Sequence, residues 1–393
     1  MRADPLDYLA HELNSLRDQG LYRRLRVLDG EQGARASVDH RSVVNLSSNN
    51  YLGLTTHPKL RERALDAVSA LGVGTGSVRT IAGTMEIHME LERKLAAFKK
   101  TEAAVVFQSG FTANAGTVSS ILGRDDAIVS DELNHASIID GARLSRATVK
   151  VFPHRDVAAA RTVLESLPRG QRKLLITDGV FSMDGDLGAL PALCDLADEF
   201  GCIMMVDDAH ASGVFGQHGR GTIDHFGMHG RVDVQVGTLS KAIGALGGYV
   251  AGSRSLIDFL YHRARPFLFS TSHPPSVAAT CIAALEVLQT EPQWMERLWE
   301  NTRFFKGGLH ALGFNTGVSE SPITPVIAGE NALAMKLSDR LFEEGVFAQG
   351  IGFPTVPRGT ARVRTIVTAT HTTDELQFAL DSFRRVGSEL GII

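Results

Sequence analysis

The chain has 393 residues, 44% of them hydrophobic and 21% charged, the make-up of an ordinary globular protein with room for one large domain and a smaller one. Its 40 basic and 44 acidic residues leave a formal charge of −4, which argues against bulk electrostatic capture of nucleic acid. No apolar run approaches the roughly 18 residues that a membrane span needs, so no membrane partner is expected.

Residues 1–24 mix acids and bases without an apolar core, so no secretory signal is expected. Leu6, Leu9, Leu13 and Leu16 form a helical stripe ended by Gly20. An extended segment over 43–46 leads into Ser47-Ser48-Asn49-Asn50-Tyr51-Leu52-Gly53. A helix-like stretch over 59–71 precedes Gly72-Val73-Gly74-Thr75-Gly76. Because a helix and not a strand comes first, the context is wrong for a dinucleotide fingerprint, and a flexible, close-packed loop is expected. From there to about residue 275, apolar runs over 103–107, 127–129, 150–152, 173–176, 203–206, 232–236 and 248–251 read as strands. Amphipathic stretches such as 136–144 and 190–200 lie between them, which predicts a mostly parallel sheet covered on both faces. Near Glu291-Pro292 the pattern changes to a long helix over 294–312, then short strands and two more helices. One of these opens with the capping box Thr372-x-x-Glu375. The expected organisation is an N-terminal arm (1–58), a large α/β domain (59–290) and a smaller α+β C-terminal domain (291–393). Cys194, Cys202 and Cys281 sit in apolar surroundings without metal-ligand spacing and read as reduced thiols of a cytoplasmic protein.

Several polar segments follow these strands. Ser109-Gly110-Phe111-Thr112 opens a helix whose first N–H groups suit a phosphate, although any strand-to-helix turn looks similar. His135 either stacks on a planar ligand or caps the helix after it, and alone the cap is the simpler reading. The segment from Thr177 to Gly185 lies where ligands bind in open α/β sheets, outside the carboxyl ends of the strands. Asp207-Asp208-Ala209-His210 ends another strand, and Lys241 is preceded by Thr238 and Ser240 and followed by small residues. A strand-end carboxylate, a histidine three residues on and a flanked lysine are the parts that hold pyridoxal phosphate (PLP). The amine can bond the cofactor aldehyde, and the carboxylate can keep the pyridine nitrogen protonated, so that the ring withdraws electrons. A metal at Asp207, Asp208 and His210 would lack a second cluster to complete its shell, so none is expected. Arg362 and Arg364 alternate on a strand and share a face. That face is either a solvated basic surface or a bidentate site for a carboxylate.

In this order the motifs resemble the α-oxoamine synthase family, fold-type-I PLP enzymes that join an amino acid to an acyl-CoA. The resemblance spans essentially the whole chain. It rests on Asn49-Asn50-Tyr51-Leu52-Gly53, Ser109-Gly110-Phe111, His135-Ala136-Ser137, Phe181-Ser182-Met183-Asp184-Gly185, Asp207-Asp208-Ala209-His210, Thr238-Leu239-Ser240-Lys241 and Pro354-Thr355-Val356-Pro357. It implies an α/β fold with a large mostly parallel sheet domain and a smaller α+β C-terminal domain, and a homodimer with its site built across two subunits. Lys241 would carry the cofactor and move the α-proton, Asp207 would hold the pyridine nitrogen, and His210 and Ser182 would lie at the ring hydroxyl. His135 would stack on the ring face beside the substrate. Gly110, Phe111 and Thr238 would hold the phosphate, with Ser270 arriving from a partner subunit. Asn49 and Arg364 would bind the amino-acid carboxylate, and Arg23 and Thr355 the acyl substrate. Segments 133–141 and 265–270 look most like the glycine C-acetyltransferases (2-amino-3-ketobutyrate CoA ligases), implying glycine and acetyl-CoA as substrates. The alternative is the 8-amino-7-oxononanoate synthases, similar throughout, which join alanine to a pimeloyl thioester with decarboxylation in biotin biosynthesis. Arg23 matches that second branch, and both activities in one chain are compatible with the resemblance. A non-catalytic partner subunit would have lost Lys241, and an aminotransferase would not explain Arg23 and the 354–357 segment.

Overall fold

The computed structural model describes residues 4–18, 22 and 24–393. β1 (Arg35–Val38) and β2 (Arg41–Asn45) form an antiparallel hairpin. The large sheet is built from β3 (Ala103–Phe107), β4 (Ala127–Asp131), β5 (Thr148–Phe152), β6 (Lys173–Asp178), β7 (Ile203–Asp207), β8 (Val234–Thr238) and β9 (Gly248–Gly252). Its strand order is β3-β9-β8-β7-β6-β4-β5. Only β9 runs against its neighbours, so the sheet is mostly parallel.

Burial on both faces explains the near-continuous apolar runs. In β6, Leu174 and Ile176 face the helices Gly110–Ile121 and Ala136–Ser145, whereas Leu175 faces Val157–Glu165 and Leu190–Phe200. Each such side chain contributes about 1.5–3 kcal/mol on burial. Edge strand β5 is exposed at four of its five positions, as a strand with one neighbour allows.

The C-terminal part contains β10 (Ile323–Gly329), β11 (Val346–Phe347), β12 (Gln349–Ile351) and β13 (Ala361–Ile366). β10, β13 and β12 make an antiparallel sheet, while β11 pairs in parallel with β2. The hairpin of the expected N-terminal arm is therefore hydrogen-bonded into the C-terminal part, Val44 facing Val346. The long helix runs over Gln293–Ala311, and the Thr372–Glu375 capping box is present, with reciprocal bonds of 3.0 and 3.2 Å.

The first helix runs over Tyr8–Asp18, where the stripe predicted one, with Leu9, Leu13 and Leu16 exposed, and Gly20 lies outside the described residues. One expectation needs correction. The loop of Gly72, Gly74 and Gly76 is not close-packed, since a Cβ at any of the three would meet nothing within 4 Å. Gly72 (φ 83°) and Gly76 (φ 65°) instead serve a left-handed backbone. Among the described residues no helix is long and apolar enough to cross a membrane.

Candidate active site

Parallel pairing brings the carboxyl ends of β4, β6, β7 and β8 to one edge of the sheet, so their last residues, Asp131, Asp178, Asp207 and Thr238, lie side by side. β3 ends at the same edge, because Phe107 and Thr238 both pair with Gly248 of antiparallel β9. The turns leaving these strands enclose a cavity of about 190 Å³. Gly110, Phe111, His135, Ser182, Asp207, His210, Thr238 and Lys241 all line it, together with Ser109, Ser137, Asp178 and Ser240. Eight residues scattered over 132 positions of sequence are thus brought together at one cavity.

Asp207 is buried and held by two donors, the Ala209 N–H to Oδ1 at 2.9 Å and Asn114 Nδ2 to Oδ2 at 2.6 Å. Lys241 is half-buried, and its amine makes no hydrogen bond or ion pair among the described residues. Burial pulls its pKa down to about 8 against the opposing charges of Asp207 and Asp178. A fraction of the amine is therefore neutral and nucleophilic near physiological pH. His210 is pushed well below the ordinary histidine range, first by burial and then by the Lys241 and Arg364 charges. Its Nδ1 lies 2.7 Å from the hydroxyl of buried Tyr51. Burial also keeps Tyr51 protonated, so phenol and imidazole share one neutral hydrogen bond whose direction follows the His210 tautomer.

The capping reading of His135 holds, and the residue also lies at the cavity. Its Nδ1 caps the helix Ala136–Ser145 by accepting the Ser137 N–H at 3.2 Å, and its ring lines the cavity. Burial lowers its pKa, Asp207 opposing and Lys241 reinforcing the shift. Ser109 caps the helix Gly110–Ile121, whose first N–H groups have no partner inside the helix and open at the cavity. Thr238 Oγ1 bonds Ser240 Oγ at 2.7 Å and the Gly247 carbonyl at 2.9 Å, fixing the turn that carries Lys241.

Arg362 and Arg364 share a face, as the alternation predicted, and that face is not solvated. Arg364 donates to the Ser182 carbonyl at 3.0 Å and reaches Asn49 Oδ1 at 3.5 Å. Arg362 holds the Met183 carbonyl at 3.1 Å and Asp184 at 2.5 Å. The structure thus joins Asn49, Arg364 and the Ser182 loop. Thr355 is exposed, with its N–H on the Gly352 carbonyl at 3.0 Å, and does not line the cavity. Ser270 follows the helix Arg265–Leu268 and does not line this chain's cavity either. Arg23 lies outside the described residues.

Three residues were missed as site members. Tyr51 sits inside a quoted motif, Asn114 stands one turn inside its helix, and Asp178 ends β6. The available signal was the polar end of each apolar strand, which fits Asp178 but not the isolated Asn114.

The family model for aminotransferase class I and II matches residues 41–383. The 8-amino-7-oxononanoate synthase of Symbiobacterium thermophilum is 60% identical over 388 residues, covering 98% of this chain and 99% of the relative. 8-Amino-7-oxononanoate synthase 1 of Bacillus subtilis is 55% identical over 387 residues, with 98% and 99% covered. A serine palmitoyltransferase from S. paucimobilis, solved with PLP bound, superposes with a TM-score of 0.94 at 33% identity, covering 99% of this chain and 100% of that one.

The chain belongs to the aminotransferase class I and II family, with the fold-type-I PLP transferase architecture. Within it, the chain is a PLP-dependent acyltransferase of the 8-amino-7-oxononanoate synthase type, acting on an amino acid and an acyl thioester. The glycine C-acetyltransferase expectation finds no support among these relatives. Segment 133–141, which suggested that branch, includes the cavity residues His135 and Ser137.

The side chains present fit PLP. A lysine amine without a hydrogen bond, a doubly held carboxylate, a neutral histidine and a helix N-terminus converge on one cavity containing a buried oxygen, Asp178 Oδ1, that lacks a partner.

Proposed function

We propose that this chain condenses L-alanine with a pimeloyl thioester to give 8-amino-7-oxononanoate, carbon dioxide and the free thiol. The observation that carries this reading is 60% identity, over 98% of the chain, to a protein of that name. Bound PLP supplies the electron sink for a carbanion at the amino-acid α-carbon. Asp207 would hold the ring nitrogen protonated, and His210 and Ser182 would contact the ring hydroxyl. The helix start at Gly110 and Phe111, with Thr238, would hold the phosphate. Arg364 and Asn49 would grip the α-carboxylate and so set which α-bond faces the ring. The Lys241 amine would take the α-proton. The new bond joins the α-carbon to the thioester carbonyl as the C–S bond breaks, the amino-acid carboxylate leaves as carbon dioxide, and the α-carbon takes a proton in its place. Arg23 and Thr355 are assigned to the acyl substrate on resemblance alone.

We further infer a homodimer with Ser270 reaching the partner's phosphate site. Supporting this, Phe111 (45% exposed), Ile81 (83%) and Phe269 (70%) leave apolar surface on segments that are linked near the cavity. The Ser272 N–H bonds the Ser77 carbonyl at 3.1 Å, and Gln108 donates to the Thr271 carbonyl at 2.7 Å. The unpaired cysteines suit a cytoplasmic enzyme.

The test is thiol release for alanine or glycine paired with pimeloyl-CoA or acetyl-CoA, using wild type and Arg23→Lys. Alanine with pimeloyl-CoA is expected to have the highest kcat/KM, reduced in Arg23→Lys. A higher value for glycine with acetyl-CoA would overturn the assignment.

A further inference from the structure

The cavity contains a second carboxyl to which the roles above give no task. Asp178 ends β6 as the register partner of Asp207 on β7, and only 5% of it is exposed. Its Oδ2 accepts the His135 backbone N–H at 3.2 Å. Its Oδ1 is buried and has no hydrogen-bond partner among the described residues, although the residue lines the cavity beside Lys241 and Ser182. Native structures seldom leave such an oxygen unpaired unless a ligand or water completes it. The groups facing this carboxyl are the carboxylates of Asp207 on β7 and Asp131 on β4, the Lys241 amine after β8, and the His135 N–H. Burial and the two negative neighbours outweigh the lysine and the N–H, so the carboxyl keeps its proton well above the ordinary range.

We propose that Asp178 is a further cofactor-contacting residue, a neutral carboxylic acid whose Oδ1 hydrogen-bonds bound PLP while Asp207 carries the charge that faces the ring nitrogen. The two carboxyls are chemically alike and are divided by environment. Asp207 has two donors aimed at it, whereas Asp178 has one donor and a carboxylate beside it. The division also matters for Lys241. Of the two carboxyls whose charge would raise the amine's pKa against burial, a neutral Asp178 leaves only Asp207, which favours the uncharged amine. The proposal rests on Lys241 and Asp207 being the cofactor's lysine and carboxylate.

The test uses holoenzyme with isotope-labelled aspartate. Infrared difference spectra near neutral pH should show a protonated carboxyl band in wild type that Asp178→Asn lacks. Asp178→Ala should weaken PLP binding, read by visible absorbance, by roughly 10-fold. Asp178→Asn should recover most of that loss, because an amide accepts from the His135 N–H and donates from its nitrogen. Absence of the band in wild type, or equal weakening in the two variants, would overturn the proposal. If Asp178→Ala does not fold, the band decides, read in wild type against Asp178→Asn. Borohydride reduction and peptide mapping of the same wild-type sample separate the two levels of inference. An adduct on a lysine other than Lys241 refutes the underlying site, whereas an adduct on Lys241 without the band refutes Asp178 alone.

Discussion

Asn114→Ala removes one side chain that ties three parts of the site together. Asn114 is 1% exposed, and its Nδ2 donates to Asp207 Oδ2 at 2.6 Å and to Ser137 Oγ at 2.9 Å. Ser137 Oγ in turn lies 2.7 Å from His135 Nδ1. Without the amide, Asp207 keeps only the Ala209 N–H, and its orientation toward the cavity is no longer fixed from the helix Gly110–Ile121. A hydrogen bond to a charged group contributes about 1.5–3 kcal/mol, and each 1.4 kcal/mol is about tenfold in an equilibrium constant. The PLP dissociation constant should therefore rise roughly 10- to 100-fold, with a loss of about 1–3 kcal/mol in unfolding free energy. Asn114→Asp should do worse, because it sets a like charge against Asp207. Titration of cofactor-free protein with PLP, followed by visible absorbance, measures the first quantity, and urea unfolding measures the second. A folded Asn114→Ala that binds PLP as tightly as wild type would refute the reasoning.

The Lys241 amine, drawn down to about 8, should react half-maximally with an amine-directed reagent near that pH in cofactor-free protein. Asp207→Asn should move the midpoint lower, since it removes the leading charge that opposes burial, and a midpoint at the ordinary lysine value would contradict the buried setting. At His154, burial opposes the charge, but bonds to Asp131 and Asp186 outweigh it and hold the pKa at about 9, above the ordinary 6.5. The stabilisation, on the order of 3 kcal/mol, is fully present below pH 6.5 and lost as pH rises through about 9. Urea unfolding of wild type against His154→Gln should show that difference shrinking across the window, and a constant difference would rule it out.

Six of the seven strand runs were legible because burial on both faces writes itself as unbroken apolarity, whereas the edge strand β5 is mostly exposed. The reading stopped short, however, at β4, β6 and β7, which continue to Asp131, Asp178 and Asp207. Ladder hydrogen bonds come from the backbone and do not depend on side-chain polarity, so a strand can end in a carboxylate that a hydropathy pattern assigns to the loop. Two of those terminal residues, Asp178 and Asp207, line the cavity. The pairing of Val44 with Val346 had no local signature, because it joins segments some 300 positions apart. Asn114 was invisible for a related reason. A single amide on an otherwise small and apolar helix face has no period, and its value depends on Asp207 arriving from another strand. For His135, sequence reasoning set a cap against a ligand contact, whereas the structure places the capping residue at the cavity, so the two roles do not exclude each other.

A parallel sheet that ends three adjacent strands in carboxylates must deal with their mutual repulsion, and here each is handled differently. Asp131 accepts the Leu133 and Arg155 N–H groups, both at 2.9 Å, and pairs with His154 at 3.0 Å, which makes it structural. Asp207 accepts one backbone and one amide donor and keeps a face toward the cavity, which suits a charge offered to a protonated ring nitrogen. Asp178, between them, has too few donors to remain charged and holds a proton. Asp208, one residue beyond Asp207, is turned away and neutralised by buried Lys99 at 3.1 Å. Four carboxyls of the same residue type, all of them buried, thus take different roles through their partners alone. It is this sorting by neighbours, more than any single motif, that leaves one negative charge and one reactive amine facing each other across the cavity.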